Sequence, residues 1–329
     1  MTTPRWKASR ASEIGLDGSA WDEAVLAFET GTMFHTTVWT EAVARGFHRQ
    51  ASYFAFLGPS GDLKALFPVT EGKRGPFRTA YSPVTIVTPY GGPACATEDL
   101  APALRAIQAL RRTAKWDYVR IALPPVPGPL PDEPGLTLLK SSTRIVPLGS
   151  DGSIWKGLNR RCKRYIKKAE EAGAVVRDVK DFGFLEDYLG WAESAFSRTG
   201  TEFETPRDLY DALRDFVLPT GTLLVRGAYV EDRPGVIEFF GLSKGWLYAI
   251  DSAMDRTMGV DGLGNLLTWD TMRIASKRGA TRFDMLGTTI PHVAEYKQSF
   301  GGELAPVFGL EASTRAFRMA KRLAGAVGR

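Results

Sequence analysis

The sequence predicts an α/β protein of two domains, each a mixed sheet flanked by helices. Two observations carry this: strand-like and helix-like segments alternate along the chain, and the two halves echo one another. LRAIQALRRTAKWDYVRI, from Leu104, and LLTWDTMRIASKRGATRFDM, from Leu266, are each a helix, a short turn and a strand at the same place within their halves. At roughly 100–200 residues per domain, 329 residues fit two, with expected boundaries of 1–149 and 150–310.

In the first half, helical spacing is expected around Trp21, Val25 and Phe28 and again around Trp39, Val43 and Phe47. Strands follow at 53–57 and 63–69, across the turn GPSGD, and then a stretch punctuated by Pro76, Pro83, Pro89 and Pro93. A helix over 100–114 leads to a strand at 118–121, and PPVPGPLPDEPG, residues 124–135, is a rigid loop because proline bars both helix and central strand. The second half opens with a basic helix over 153–172, closed by Gly173. Helices at 184–198 and 207–216 precede strands at 223–229, 235–242 and 246–250. A helix over 263–278 then leads to a strand at 282–285, and a last basic helix spans about 313–323.

Composition narrows the function classes. With 44 % hydrophobic and 24 % charged residues the chain is of ordinary globular type. No apolar run approaches the roughly 20 residues of a membrane span, and MTTPRWKASR lacks the apolar segment of a secretory signal, so a cytoplasmic protein without stable membrane association is expected. Two cysteines and three scattered histidines offer neither a disulfide framework nor a metal-ligand spacing, so no metal is expected. Lys and Arg exceed Asp and Glu by 42 to 37, a balance that suits a polyanionic partner without demanding one.

Three segments contain residues suited to chemistry. The basic helix gathers Arg160, Arg161, Lys163, Arg164, Lys167 and Lys168 around an apolar stripe of Leu158, Cys162, Ile166 and Ala169. One reading is a solvated face, helped by the helix dipole at Lys167 and Lys168; the other is phosphate or RNA contact, since the cations lack acidic partners four residues back. RTMGVDGLGN, residues 256–265, has the shape of a phosphate-binding turn, yet Asp261 puts a carboxylate where a diphosphate would sit. In FDMLGTTIPHVAEYKQSFGG a strand ends, a loop follows, and Lys297 precedes Phe300-Gly301-Gly302. A fixed cation there suits the oxyanion formed when an amine attacks an ester carbonyl. Cys162 lacks a nearby base, which favours direct transfer over a covalent intermediate. Asp251, Asp284, Glu238 and Glu295 are unranked candidates for proton acceptor.

GTMFHTTVWTEAV, PYGGP, LNRRCKRYIKKAEEAGAVV, AESAFSRTGTEFETPRDLY, LLTWDTMRIASKRGATRFDMLG and EYKQSFGG, in that order, resemble the Fem family of tRNA-dependent aminoacyl transferases from about residue 20 to 310. The resemblance, to compact members without a coiled-coil arm, implies two tandem acetyltransferase-like (GNAT-like) domains, with the C-terminal helix, 311–329, packing back on the first. It implies that Lys297 stabilises the reacting carbonyl, that Arg198 positions a phosphate or the acceptor, and that an aminoacyl-tRNA is co-substrate with no other cofactor. The chain departs from the family where a lysine holds the nucleotide of a cell-wall precursor, offering Arg45 out of place, and where an acidic residue follows the GP, with Ala96 near that position. The expected acceptor is an amine on a peptide intermediate of antibiotic assembly or on a nucleotide-linked cell-wall peptide. The alternative on the same architecture is an acyl-CoA-dependent N-acyltransferase.

Overall fold

The computed structural model describes residues 6–84, 87–126, 130, 133–198, 200 and 202–327, without the side chains of 324–327. The first five residues of the N-terminal segment, and residues 127–129 and 131–132 of the expected proline loop, lie outside the described residues. The chain divides into two compact units, residues 1–141 with 306–329, and residues 142–305.

Unit 1 is a mixed sheet of β1 (Lys7–Arg10), β2 (Gln50–Leu57), β3 (Leu63–Arg74), β4 (Phe77–Ser82) and β6 (Tyr118–Ala122), with the short β5 (Ala94–Cys95) paired to β3. Helices α1 (Gly18–Ala27), α2 (Thr37–Gly46) and α3 (Leu100–Thr113) flank it. Leu100, Leu104, Ile107 and Leu110 recur every three or four residues, and this stripe of α3 packs with Phe54, Phe67, Trp116 and Val119 into the core. β4 and β6 run parallel, joined by the crossover through α3.

Unit 2 repeats the plan. After β7 (Thr137–Pro147) come α4 (Asp151–Gly157), α5 (Arg160–Glu171), β8 (Val175–Asp178), α6 (Leu185–Ser197) and α7 (Arg207–Ala212). Then β9 (Leu223–Val230), β10 (Arg233–Ser243) and β11 (Trp246–Met254) form an antiparallel meander with β8 at its edge. Helix α8 (Leu263–Lys277) crosses over to β12 (Arg282–Asp284), which lies parallel to β11, and α9 (Pro291–Gln298) follows. The last elements, β13 (Glu303–Ser313) and α10 (Arg315–Val327), close the chain, and Gly309–Ser313 pair antiparallel with β6. In unit 2 the corresponding antiparallel partner of β12 is Ile145–Pro147 of β7.

The structure corrects several expectations. The single basic helix over 153–172 is two helices, because Asn159 turns extended and its side chain accepts a hydrogen bond from the Cys162 amide at 2.8 Å, capping α5 afresh. The loop expected to carry Lys297 winds into α9, started by Pro291 at its first position. Six strands among the described residues went unforeseen, β1, β4, β5, β7, β8 and β13. β4 sits among prolines, β7 is exposed over its first five residues, and β13 carries Pro306 and Gly309, residues that read as strand breakers.

Candidate active site

The last paired residues of β11 and β12 are Tyr248 and Asp284. Beyond them β11 continues alongside β10, with a bulge at Phe239/Phe240 where the register slips. The chain after Asp284 instead turns, with Leu286 at φ +55°. Lys297 braces this turn: its ammonium donates to the Leu286 carbonyl at 2.9 Å and the Gly287 carbonyl at 2.6 Å, leaving one N–H. Burial depresses its pKa to about 8, against the opposing pull of Glu238 and Asp284.

Glu238, buried on β10, is the counterpart. Burial pushes its carboxyl up to about 8, while a hydrogen bond from Thr268 and the Lys297 charge draw it back. The Thr268 hydroxyl donates to Glu238 Oε2 at 3.2 Å and lies 3.0 Å from the Tyr296 hydroxyl. Since the single Thr268 proton goes to Glu238, Tyr296 is the donor to Thr268, so a directed path runs Tyr296–Thr268–Glu238. Burial holds the Tyr296 phenol far above its ordinary range, so it relays protons as a neutral hydroxyl. Asp251, on β11, accepts from the Tyr210 hydroxyl at 2.5 Å, and burial raises its carboxyl as well.

Tyr296 also lines a groove of about 610 Å³ whose walls include Arg161 and Tyr165 of α5, Asp255 to Gly262 in part, Asn265, His292 and Glu295. At its edge Gly262, φ +89°, starts α8; a Cβ there would lie 2.0 Å from the Tyr165 carbonyl oxygen, so only glycine lets the turn reach α5. Gly302 does the same against Ile145 at 2.2 Å, φ +69°, and the Arg144 guanidinium clasps the Gly301 and Gly302 carbonyls. The FGG motif therefore pins the end of α9.

The expected cations separate. Arg161 lines the groove, 4.0 Å from Glu295, and Lys168 reaches Asp261 at 2.9 Å, so both have acidic partners that their own helix does not supply. Arg160, Arg164 and Lys167 are exposed, and Lys163 sits over the Trp155 ring. Arg198 is exposed at the end of α6 and donates to Ser194, and Arg45 is exposed on α2 in unit 1; neither lines the groove. Cys162 is buried and its thiol raised by burial, with Asn265 donating to its sulfur at 3.4 Å. Among the described residues no group of three or more His, Cys, Asp and Glu is placed to hold a metal, and no helix is long and apolar enough to cross a membrane. Sequence reasoning left Glu238 unranked and passed over Thr268. The available signal was a carboxylate alone in the apolar run VIEFFGL.

Residues 157–298, which include Glu238, Thr268, Tyr296 and Lys297, match the acetyltransferase (GNAT) domain family. A search of curated protein sequences gives no match. Among solved structures the chain is similar to FemX, with a TM-score of 0.67 and 13 % identity over 92 % of this chain and 96 % of that one. It is also similar to L-PGS from Bacillus licheniformis, at 0.53 and 12 % over 87 % and 90 %. A third likeness is to Saccharomyces cerevisiae N-myristoyltransferase with bound myristoylCoA, at 0.52 and 12 % over 96 % and 85 %. Fold and domain match together support an acyltransferase built on the GNAT fold. Within that class the overall fold is Fem-like.

Proposed function

We propose that the chain is an aminoacyltransferase that moves an amino acid from an aminoacyl-tRNA to an amine on a peptide or nucleotide-linked peptide, by direct attack and without metal or organic cofactor. The observation that carries this is the Lys297 ammonium, held by two carbonyls with one donor to spare, coupled to the buried carboxyl of Glu238. In the reaction the acceptor nitrogen forms the new N–C bond and the ester C–O bond breaks. Lys297 meets the oxyanion that forms between these events. The proton shed by the amine passes through Tyr296 and Thr268 to Glu238 in its ionised form, whose share grows as pH approaches 8, and returns along the same path to the departing ribose oxygen.

The charge of the groove supports an amine over a diphosphate. Asp255, Asp261 and Glu295 line it beside Arg161 and Arg256; these carboxylates suit an amine-bearing acceptor and repel the diphosphate of an acyl-CoA. The peptide acceptor of antibiotic assembly or of the cell wall, and a cytoplasmic setting, belong to this reading. The test offers the protein a pool of labelled aminoacyl-tRNAs, or acyl-CoAs, with a panel of amines. Transfer abolished by ribonuclease supports the proposal; ribonuclease-resistant transfer from acyl-CoA overturns it in favour of an N-acyltransferase.

A further inference from the structure

Helix α10 has two faces with different fates. Phe317 is buried, stacked on Tyr118 with ring centroids 4.8 Å apart and edge-on to Phe77 at 5.3 Å, so this side seats the helix on unit 1. Met319, two residues on and therefore nearly opposite around the helix, is 65 % exposed, and Leu323, one turn further along the same side, is 67 % exposed. A singly exposed apolar residue needs no explanation, but a pair spaced to share one face does. Ala316 is exposed with them. Arg315 and Arg322, both exposed, fall on the adjoining side of this outer ridge, while Arg318 and Lys321 turn back to Ser313 and Glu311.

We propose that the outer ridge of α10 docks on an anionic lipid surface, with Met319 and Leu323 entering the interface and Arg315 and Arg322 meeting lipid phosphates. The pattern of cations beside an apolar ridge is that of helices lying in the plane of a membrane. A nucleic acid would match the arginines, but its phosphate backbone leaves Met319 and Leu323 in water. An acidic protein or a second copy of the chain is the remaining occupant and is separated by the test. A contact this small is reversible and fits a chain that visits a membrane.

The experiment is pelleting of the full chain with vesicles of phosphatidylcholine alone or with roughly one third phosphatidylglycerol. The expected result is about tenfold more protein bound to the anionic vesicles, declining as added salt shortens the Debye length below roughly 8 Å. The Met319→Ser/Leu323→Ser variant, melting like the parent, should fall to the level of neutral vesicles. Arg315→Gln/Arg322→Gln should lose the preference for anionic lipid. Equal pelleting by the Met319→Ser/Leu323→Ser variant, or no preference in the parent, overturns the proposal. So does a parent that self-associates in sedimentation through these two residues without binding vesicles.

Discussion

The two units solve the same geometric problem in opposite ways. In each, two parallel strands joined by a crossover helix part at their ends: β4 and β6 after Ser82 and Ile121, β11 and β12 after Tyr248 and Asp284. In unit 1 the chain plugs its own gap. The Gly91 amide donates to the Ala122 carbonyl at 2.8 Å and the Gly92 amide to the Ser82 hydroxyl at 2.9 Å, so PYGGP joins the two strand ends. Beside the plug lies a cavity of about 20 Å³, lined largely by Phe34, Trp39, Val43, Tyr81 and Tyr90 and their neighbours. In unit 2 the turn after β12 is braced by Lys297, the buried Glu238 lies within its electrostatic reach, and Tyr296 reaches from Thr268 to the groove. The repeated fold thus places titratable groups at one strand end and joins the other with hydrogen bonds from the Gly91 and Gly92 amides to groups that do not titrate.

The largest expected effect is at Lys297. Lys297→Ala should slow the chemical step roughly 10²–10³-fold, the scale of one lost oxyanion donor, with little change in affinity for charged tRNA. Single-turnover transfer across tRNA concentrations reads this out, and wild-type rates in a folded variant would remove Lys297 from the mechanism. Because the same ammonium braces the turn at Leu286 and Gly287, thermal melting of the variant separates a catalytic from a merely structural loss.

Breaking the seal of unit 1 should instead cost stability. A Cβ on Gly91 would lie 2.7 Å from the Ser82 carbonyl carbon and 2.8 Å from its oxygen, so Gly91→Ala has to displace backbone. A loss of about 1–3 kcal/mol is expected in urea unfolding, with transfer per folded molecule unchanged. Lost transfer at full stability would show that the plug takes part in binding.

The pH dependence sharpens the contrast. Glu238 binds its proton more tightly folded, with a pKa near 8 against an ordinary 4.5, so the folded state holds the extra proton between those values. Stability therefore declines as pH rises from about 4.5 to 8, by at most about 1.4 kcal/mol per pH unit. Lys297 acts in the opposite sense from about 8 upward, because its folded pKa lies below the ordinary 10.5. Glu238→Gln should flatten the lower limb in melting curves taken from pH 5 to 8, and an unchanged slope would assign the limb to another group.

The last effects lie on the basic helix, where those on stability are the smallest. Charge reversal of Arg160, Arg161, Lys163 and Arg164 together should weaken tRNA binding steeply, with Arg161, the one at the groove, contributing most. Lys168→Ala should shift stability by no more than about 1 kcal/mol, since its pair with Asp261 is exposed on both sides. Melting curves and filter binding in graded salt check both.

Much of this fold was legible locally. The stripes of α3 and α8, the meander of β9, β10 and β11, and the echo between the halves are signals of period 3.6 or 2 contained within a few turns of chain. The place of Lys297 between a strand end and an FGG turn was legible too, but not the helix that carries it. What the chain alone left undecided depends on groups far apart in sequence. The break at Leu158–Asn159 is favoured because Leu158 is buried and the Asn159 amide donates to the Ser299 carbonyl at 2.9 Å. Strand β13 belongs with β6, some 190 residues earlier, and β7 pairs with β12, so neither has a partner nearby in sequence. Glu238 is an ordinary carboxylate until α8 and α9 cover it with Thr268 and Tyr296. Propensity and periodicity act over a few residues, while desolvation and charge coupling act through space, and the latter set the chemistry of this site.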